Sequence, residues 1–189
     1  MHKVALGAMA VAFSILATSA AQAQMKLTSD DVKNGGVSPK TMEANVFGCD
    51  GGNISPSLTW SGAPAGTKSF ALNLYDPDAP TGSGFWHWIV FNIPVSTTSL
   101  PKNAGDVKAN LMPAGAIQGR NDYGFWGFGG MCPPKGDKPH HYTLTVYAVD
   151  EDTLQFAKDK DAPAPVVGFE LHFHSKAKAA LHWTYGRPK

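Results

Sequence analysis

The chain has 189 residues, 43% of them hydrophobic and 16% charged, with 16 Lys and Arg against 15 Asp and Glu. A formal charge of +1 and the lack of any basic run leave no field for counterion-release binding along a phosphate backbone, so nucleic acid is excluded as a partner. The 20 Gly, 14 Pro and 11% aromatic residues argue for a β-dominated domain and against a helical bundle or a disordered chain.

In chain order, residues 1–23 read as a cleavable secretory signal peptide. Lys3 stands near the start, Val4–Ala20 is uncharged and largely apolar, and Ala21-Gln22-Ala23 offers small residues to a signal peptidase cutting after Ala23. Its alanines, Ser14, Thr18 and Ser19 make it a poor membrane anchor, which is the alternative. The mature chain is therefore expected in the periplasm or secreted, without a transmembrane segment. Loss of Lys3, the leader's one charged side chain, leaves basic and acidic residues equal in number. Residues 24–189 show no repeat or composition break and read as a single domain.

Lys26–Thr28, Leu58–Trp60 and Ala116–Gln118 are weak strand candidates. Three others are stronger: Ser69–Tyr75 and Tyr142–Val149 alternate apolar with polar or small residues, and His87–Ile93 is dense in β-branched and aromatic ones. Gly48–Ile54, Asp76–Gly84 and Asp122–Pro139 read as loops. The last carries Tyr123, Phe125, Trp126 and Phe128, too aromatic for disorder, and at least two of the final three are expected to be buried. Asp150–Lys160 reads as a small peripheral helix, stopped by Pro163 and Pro165. Beyond it the periods conflict: Phe169, Leu171 and Phe173 alternate as in a strand, whereas Ser175–Leu181 is rich in Ala and Lys as in a helix. In an oxidising compartment Cys49 and Cys132 are disulfide candidates, with two buried thiols as the alternative.

Two stretches carry chemistry. Asp76-Pro77-Asp78-Ala79-Pro80 follows a strand and precedes Trp86-His87, which opens the next; its prolines fix φ, so Asp76 is held near His87, with Asp78 and Trp86 in support. Alone, this is equally a β-turn with capping carboxylates. Gly129-Gly130-Met131-Cys132-Pro133-Pro134-Lys135-Gly136, followed by His140-His141-Tyr142, offers backbone N–H groups and imidazole to an oxyanion, and alone is as well read as an ordinary loop.

Taken together, these motifs resemble the phosphatidylethanolamine-binding protein family, also called Raf-kinase-inhibitor-like proteins. The bacterial branch is the closer match, through CDGGNISPSLTW at Cys49–Trp60, the run from Ala63 to Leu72, and WTYGR at Trp183–Arg187. The resemblance implies an antiparallel β-sandwich with Greek-key connections and a C-terminal helix, here assigned to Ala164–Ala177, with a last strand including Leu181–Tyr185. It also implies a pocket for phosphate or a phospholipid head group, formed by Asp76, Pro80, His87, Gly130, Pro133, His140 and Tyr142. Two positions depart from the family pattern: Met131 stands where proline is usual, and His141 where arginine is usual.

No cofactor is expected. An enzyme is disfavoured, because the chain has no G-x-S-x-G elbow, H-E-x-x-H helix or Walker loop. A metal site drawn from Asp76, Asp78, His172 or His174 lacks a recognisable ligand spacing. A protein-interaction or protease-inhibitor module is the main rival reading, with Phe125, Trp126 and Phe128 as a docking patch. The oligomeric state is open, a homodimer included. Asp76 beside an anion makes sense if it accepts a proton-borne hydrogen bond, so anion binding should strengthen from about pH 8 to 6 through His87 or His140.

Overall fold

The computed structural model describes residues 24–189, and the expected signal peptide lies outside them. Nine strands and one α-helix form in this span: β1 (Lys26–Thr28), β2 (Gly36–Val37), β3 (Leu58–Ser61), β4 (Ser69–Asp76), β5 (Phe85–Pro94), β6 (Ser99–Leu100), β7 (Ile117–Gln118), β8 (His140–Val149), α1 (Ala164–His174) and β9 (Ser175–Tyr185). The large sheet has the order β2-β9-β8-β4-β5-β7 and the small one β1-β3-β6. All pairings are antiparallel except β2 with β9, a departure from the wholly antiparallel sheet expected. Among the described residues no helix is long and apolar enough to cross a membrane.

The alternation of apolar side chains explains the layering. Phe70, Leu72 and Leu74 of β4 turn to a core shared with Leu27, Leu58 and Trp60 of the small sheet. Ala71, between them, turns to the opposite face, where Ile89 and Phe91 meet Leu154, Val167 and Leu171 beneath α1. β4 is consequently buried along nearly its whole length.

Two expectations about the C-terminal third are corrected. The peripheral helix at Asp150–Lys160 does not form. The buried Glu170 carboxylate accepts hydrogen bonds from the N–H groups of Gln155, Phe156 (3.0 Å) and Ala157 (2.7 Å), and Asn92 Oδ1 accepts that of Leu154 (3.0 Å), so side chains take donors that a helix would bond internally. The C-terminal helix forms, but ends at His174 rather than Ala177. Ser175–Leu181, helical by propensity, extends the last strand instead, because β8 offers a free edge along its whole length, from His140↔Tyr185 to Val149↔Ser175.

Cys49 and Cys132 are disulfide-bonded, joining the 48–54 loop to the glycine-rich loop. Of the three loop aromatics only Phe128 is buried; Phe125 is half-buried and Trp126 is 39% exposed, fewer buried than expected. Trp126 stays outside because its indole N–H donates to Asp161 and its face receives Lys160, 3.8 Å from the ring centroid.

Candidate functional site

β8, β4 and β5 are neighbours and antiparallel, so the end of β4 lies beside the starts of β8 and β5. That geometry gathers Asp76, His140 and His87, all at least nine-tenths buried. Asp76 Oδ1 accepts the N–H groups of Asp78 (2.8 Å) and Ala79 (3.1 Å), the turn that the two prolines rigidify. Its Oδ2 lies 2.8 Å from His140 Nδ1 and 4.0 Å from His87 Nε2. The carboxylate is thus fixed, with one oxygen facing both imidazoles.

His87 Nδ1 lies 2.8 Å from the Gly129 carbonyl and 3.0 Å from that of Gly130. Only acceptors surround that nitrogen, so it carries the proton and Nε2 presents a lone pair. Burial holds His87 below the ordinary histidine range, against the opposing pull of the two carbonyls and Asp76. The same logic places the His140 proton on Nδ1, donated to Asp76, and turns its Nε2 outward, 3.8 Å from Asp137. Tyr142 lies beneath, its ring 5.4 Å from that of His87; its buried hydroxyl feels Asp76 but meets no partner at full hydrogen-bond geometry among the described residues. Burial foremost, then Asp76, pushes the Tyr142 phenol far above its ordinary range, so it remains a neutral donor.

A cavity of about 250 Å³ opens over this floor, walled by Phe47, Pro80, Phe85, Tyr123, Pro133 and Pro134. Tyr123 packs edge-on against Phe85 (4.7 Å) and His87 (5.6 Å) and donates its hydroxyl to the Gly130 carbonyl at 2.8 Å. Burial foremost raises this phenol too. Larger clefts of about 520 and 610 Å³ meet at Trp126, but their charged side chains, among them Lys108 and Asp159, are exposed.

The structure therefore brings together Asp76, Pro80, His87, Pro133 and His140 at the cavity, with Tyr142 under it. Two expected roles change, and the supporting role of Asp78 becomes specific. Gly130 offers no free N–H, because that group donates to Asn53 Oδ1 at 2.7 Å. Glycine is needed there for another reason: a Cβ would stand 2.1 Å from the Met42 carbonyl oxygen. Trp86 points away from the cavity and packs on Tyr75, since neighbours on a strand face opposite sides and His87 holds the inner one. Asp78 braces the loop, its carboxylate accepting the His141 N–H at 2.7 Å and lying 2.7 Å from His141 Nδ1; these contacts lower its pKa. His141 thus does local bracing. The sequence reading missed Phe47 and Phe85 as walls and Arg187 as a clamp, whose guanidinium donates to the carbonyls of Pro133 (2.7 Å) and Gly48 (2.9 Å). Arg187 lies in the WTYGR run, whereas Phe47 and Phe85 fall outside the motifs, and only the tertiary fold turns all three toward the site.

A mainly β domain with a buried Asp–His–His floor under an apolar rim is the class of protein defined so far. The phosphatidylethanolamine-binding protein family model matches residues 28–186, and the chain belongs to that family. It is 50% identical over 167 residues to the UPF0098 protein YbcL of Escherichia coli (strain K12), spanning 88% of this chain and 90% of that one. It is 47% identical over 157 residues to YbhB of the same strain, spanning 83% and 97%. The crystal structure of E. coli YbcL, described as a member of the mammalian PEBP family, superposes with a TM-score of 0.83 at 49% identity, covering 87% of this chain and 99% of that one.

Proposed function

We propose that the cavity over Asp76, His87 and His140 binds a phosphate group, as a free monoester such as phosphoethanolamine or as the phosphodiester of a phospholipid head group, without catalysing a reaction on it. The observation that carries this reading is the floor of three buried, mutually oriented polar side chains in a cavity of about 250 Å³, a volume suited to a head group rather than to acyl chains. The family's name, which specifies phosphatidylethanolamine, supports the ligand class.

The floor presents two acceptors, His87 Nε2 and Asp76 Oδ2, above the neutral Tyr142 hydroxyl. A fully ionised phosphate monoester brings only acceptors too, so binding favours the form of the ligand that carries one proton. Burial keeps His87 neutral, which removes it from the pair of histidines considered as the pH switch. Non-catalytic binding is supported by the state of the cavity's aliphatic hydroxyl, Thr81, and its cysteine sulfur, Cys132. Thr81 donates its hydroxyl to the Gly84 carbonyl, and Cys132 is tied in the disulfide.

The disulfide accords with an oxidising compartment and so with export and cleavage after Ala23. The two sheets and their shared core are read as the Greek-key sandwich that the family implies.

Calorimetric titration with phosphoethanolamine in buffers of different ionisation heat tests the binding reading. Uptake of about one proton per ligand is expected above pH 7, with affinity falling roughly tenfold per pH unit, since the ligand's second ionisation lies near pH 6. Affinity that stays flat from pH 6 to 8 refutes the proton-coupled floor, and lack of saturable binding refutes the site.

A further inference from the structure

The sequence offers His172 and His174 as a spare chelating pair, and the fold separates them. His172 is exposed against the ring of Phe173, whereas His174, the last residue of α1, meets Asp150 and Glu151 just beyond β8. One ligand-type atom from each of Asp150, Glu151 and His174 lies within 4.8 Å of the other two, and all three residues are half-buried. His174 Nδ1 is 3.1 Å from Asp150 Oδ1.

Electrostatics makes this cluster incomplete. Two carboxylates converge at the C-terminal end of α1, where the helix dipole adds negative potential. Among the described residues no Lys or Arg forms an ion pair with either one; the lysine pairs are Lys40 with Glu43 and Asp50, and Lys102 with Asp31. The backbone holding the ligands is nonetheless pinned. The Asp150 N–H donates to the His174 carbonyl at 3.0 Å, Ser69 Oγ donates to the Glu151 carbonyl at 2.6 Å, and the Ser175 N–H closes the helix on Leu171.

We propose that Asp150, Glu151 and His174 form a binding site for one divalent transition-metal ion of the zinc class. Mixed imidazole and carboxylate donors suit such an ion better than calcium or magnesium, which favour all-oxygen shells. Donors at about 2.0–2.2 Å from a common ion stand about 3–4 Å apart, which half-exposed side chains reach by small rotations. Water completes the coordination. The ion neutralises the paired carboxylates and ties the end of β8 to the end of α1. His140 and Val149 are opposite ends of β8, so this site lies about 30 Å along the strand from the cavity floor and is independent of it.

The test is titration of tag-free, chelator-stripped protein with zinc chloride, followed by calorimetry and by thermal unfolding. One zinc per chain is expected with micromolar Kd, and at a hundredfold excess over Kd the unfolding midpoint should rise by about 5–10 °C. His174→Ala and the milder Glu151→Gln should each weaken zinc at least tenfold while leaving phosphoethanolamine binding intact. His172→Ala and His87→Ala should leave zinc binding unchanged. Absence of saturable binding up to millimolar zinc overturns the proposal, as does binding that survives both His174→Ala and Glu151→Gln or is lost in His87→Ala.

Discussion

Tyr142 separates what a residue does for stability from what it does for a ligand. Its hydroxyl is buried, and among the described residues its polar neighbour Asp76 does not reach full hydrogen-bond geometry, so much of the desolvation cost is left unrepaid. Tyr142→Phe keeps the ring, which is all that packs against His87 and Trp183. The variant should be as stable as the parent or more stable by about 1 kcal/mol in urea unfolding, while phosphoethanolamine affinity falls about five- to tenfold. Loss of stability would mean that the hydroxyl has a structural partner; unchanged affinity would remove it from the site. Which residues reach the cavity was partly legible in the sequence. Asp76, His87 and His140 flank strands, and strand-end side chains next to rigid loops must point somewhere definite. Gly130 was misread because composition cannot say whether a loop turns its N–H or its carbonyl inward; the carbonyl faces His87.

At the level of elements, local sequence fails where a distant side chain outbids the backbone. Asp150–Lys160 has helical composition, yet the chain turns around the Glu170 carboxylate, which accepts three successive N–H groups. One buried acid therefore replaces the first turn of a helix and docks α1 against this segment. Glu170→Ala leaves those donors without a partner in a site that is 2% exposed, and should cost about 2–4 kcal/mol in denaturant unfolding. Glu170→Gln restores acceptor capacity on one side and places an N–H₂ against a donor on the other, so it should recover only part of the loss. Equal stability of the alanine variant and the parent would show that water satisfies the donors. Neither Glu170 nor the free edge of β8 that draws Ser175–Leu181 into a strand is visible within a short window of sequence. β4, β5 and β8 were legible because their own side-chain alternation already encodes a two-faced, buried position.

For the molecule as a whole, the decisive fact is that, Phe85 of β5 apart, the pocket walls come from segments with little regular structure. Phe47 stands on one loop, Pro133 and Pro134 on another, and neither is held by a sheet ladder. Besides the Ala44 N–H to Met131 carbonyl bond (3.0 Å) and the Asn53 contacts with Phe128 and Gly130, two links join them near the rim. The Cys49–Cys132 disulfide closes a separation of 83 residues, and Arg187 bridges the carbonyls of Gly48 and Pro133 from the end of the chain. In the chain-entropy picture, closing a loop of that length is worth at most about 4–5 kcal/mol, and most of it acts on the unfolded chain. Arg187 adds nothing to that term; its planar fork fixes the spacing of the two loops in the folded state. The two links should thus separate experimentally. Replacing both cysteines by alanine should lower thermal and denaturant stability strongly and reduce phosphoethanolamine affinity only as far as the Phe47 wall loosens. Arg187→Lys keeps the charge but loses the fork, and should cost about 1–2 kcal/mol of stability while weakening binding at least as much as the cysteine variant does. Parallel unfolding curves and calorimetric titrations decide between this division and its reverse: if Arg187→Lys leaves affinity at the parental value, the guanidinium fork does not set the pocket wall.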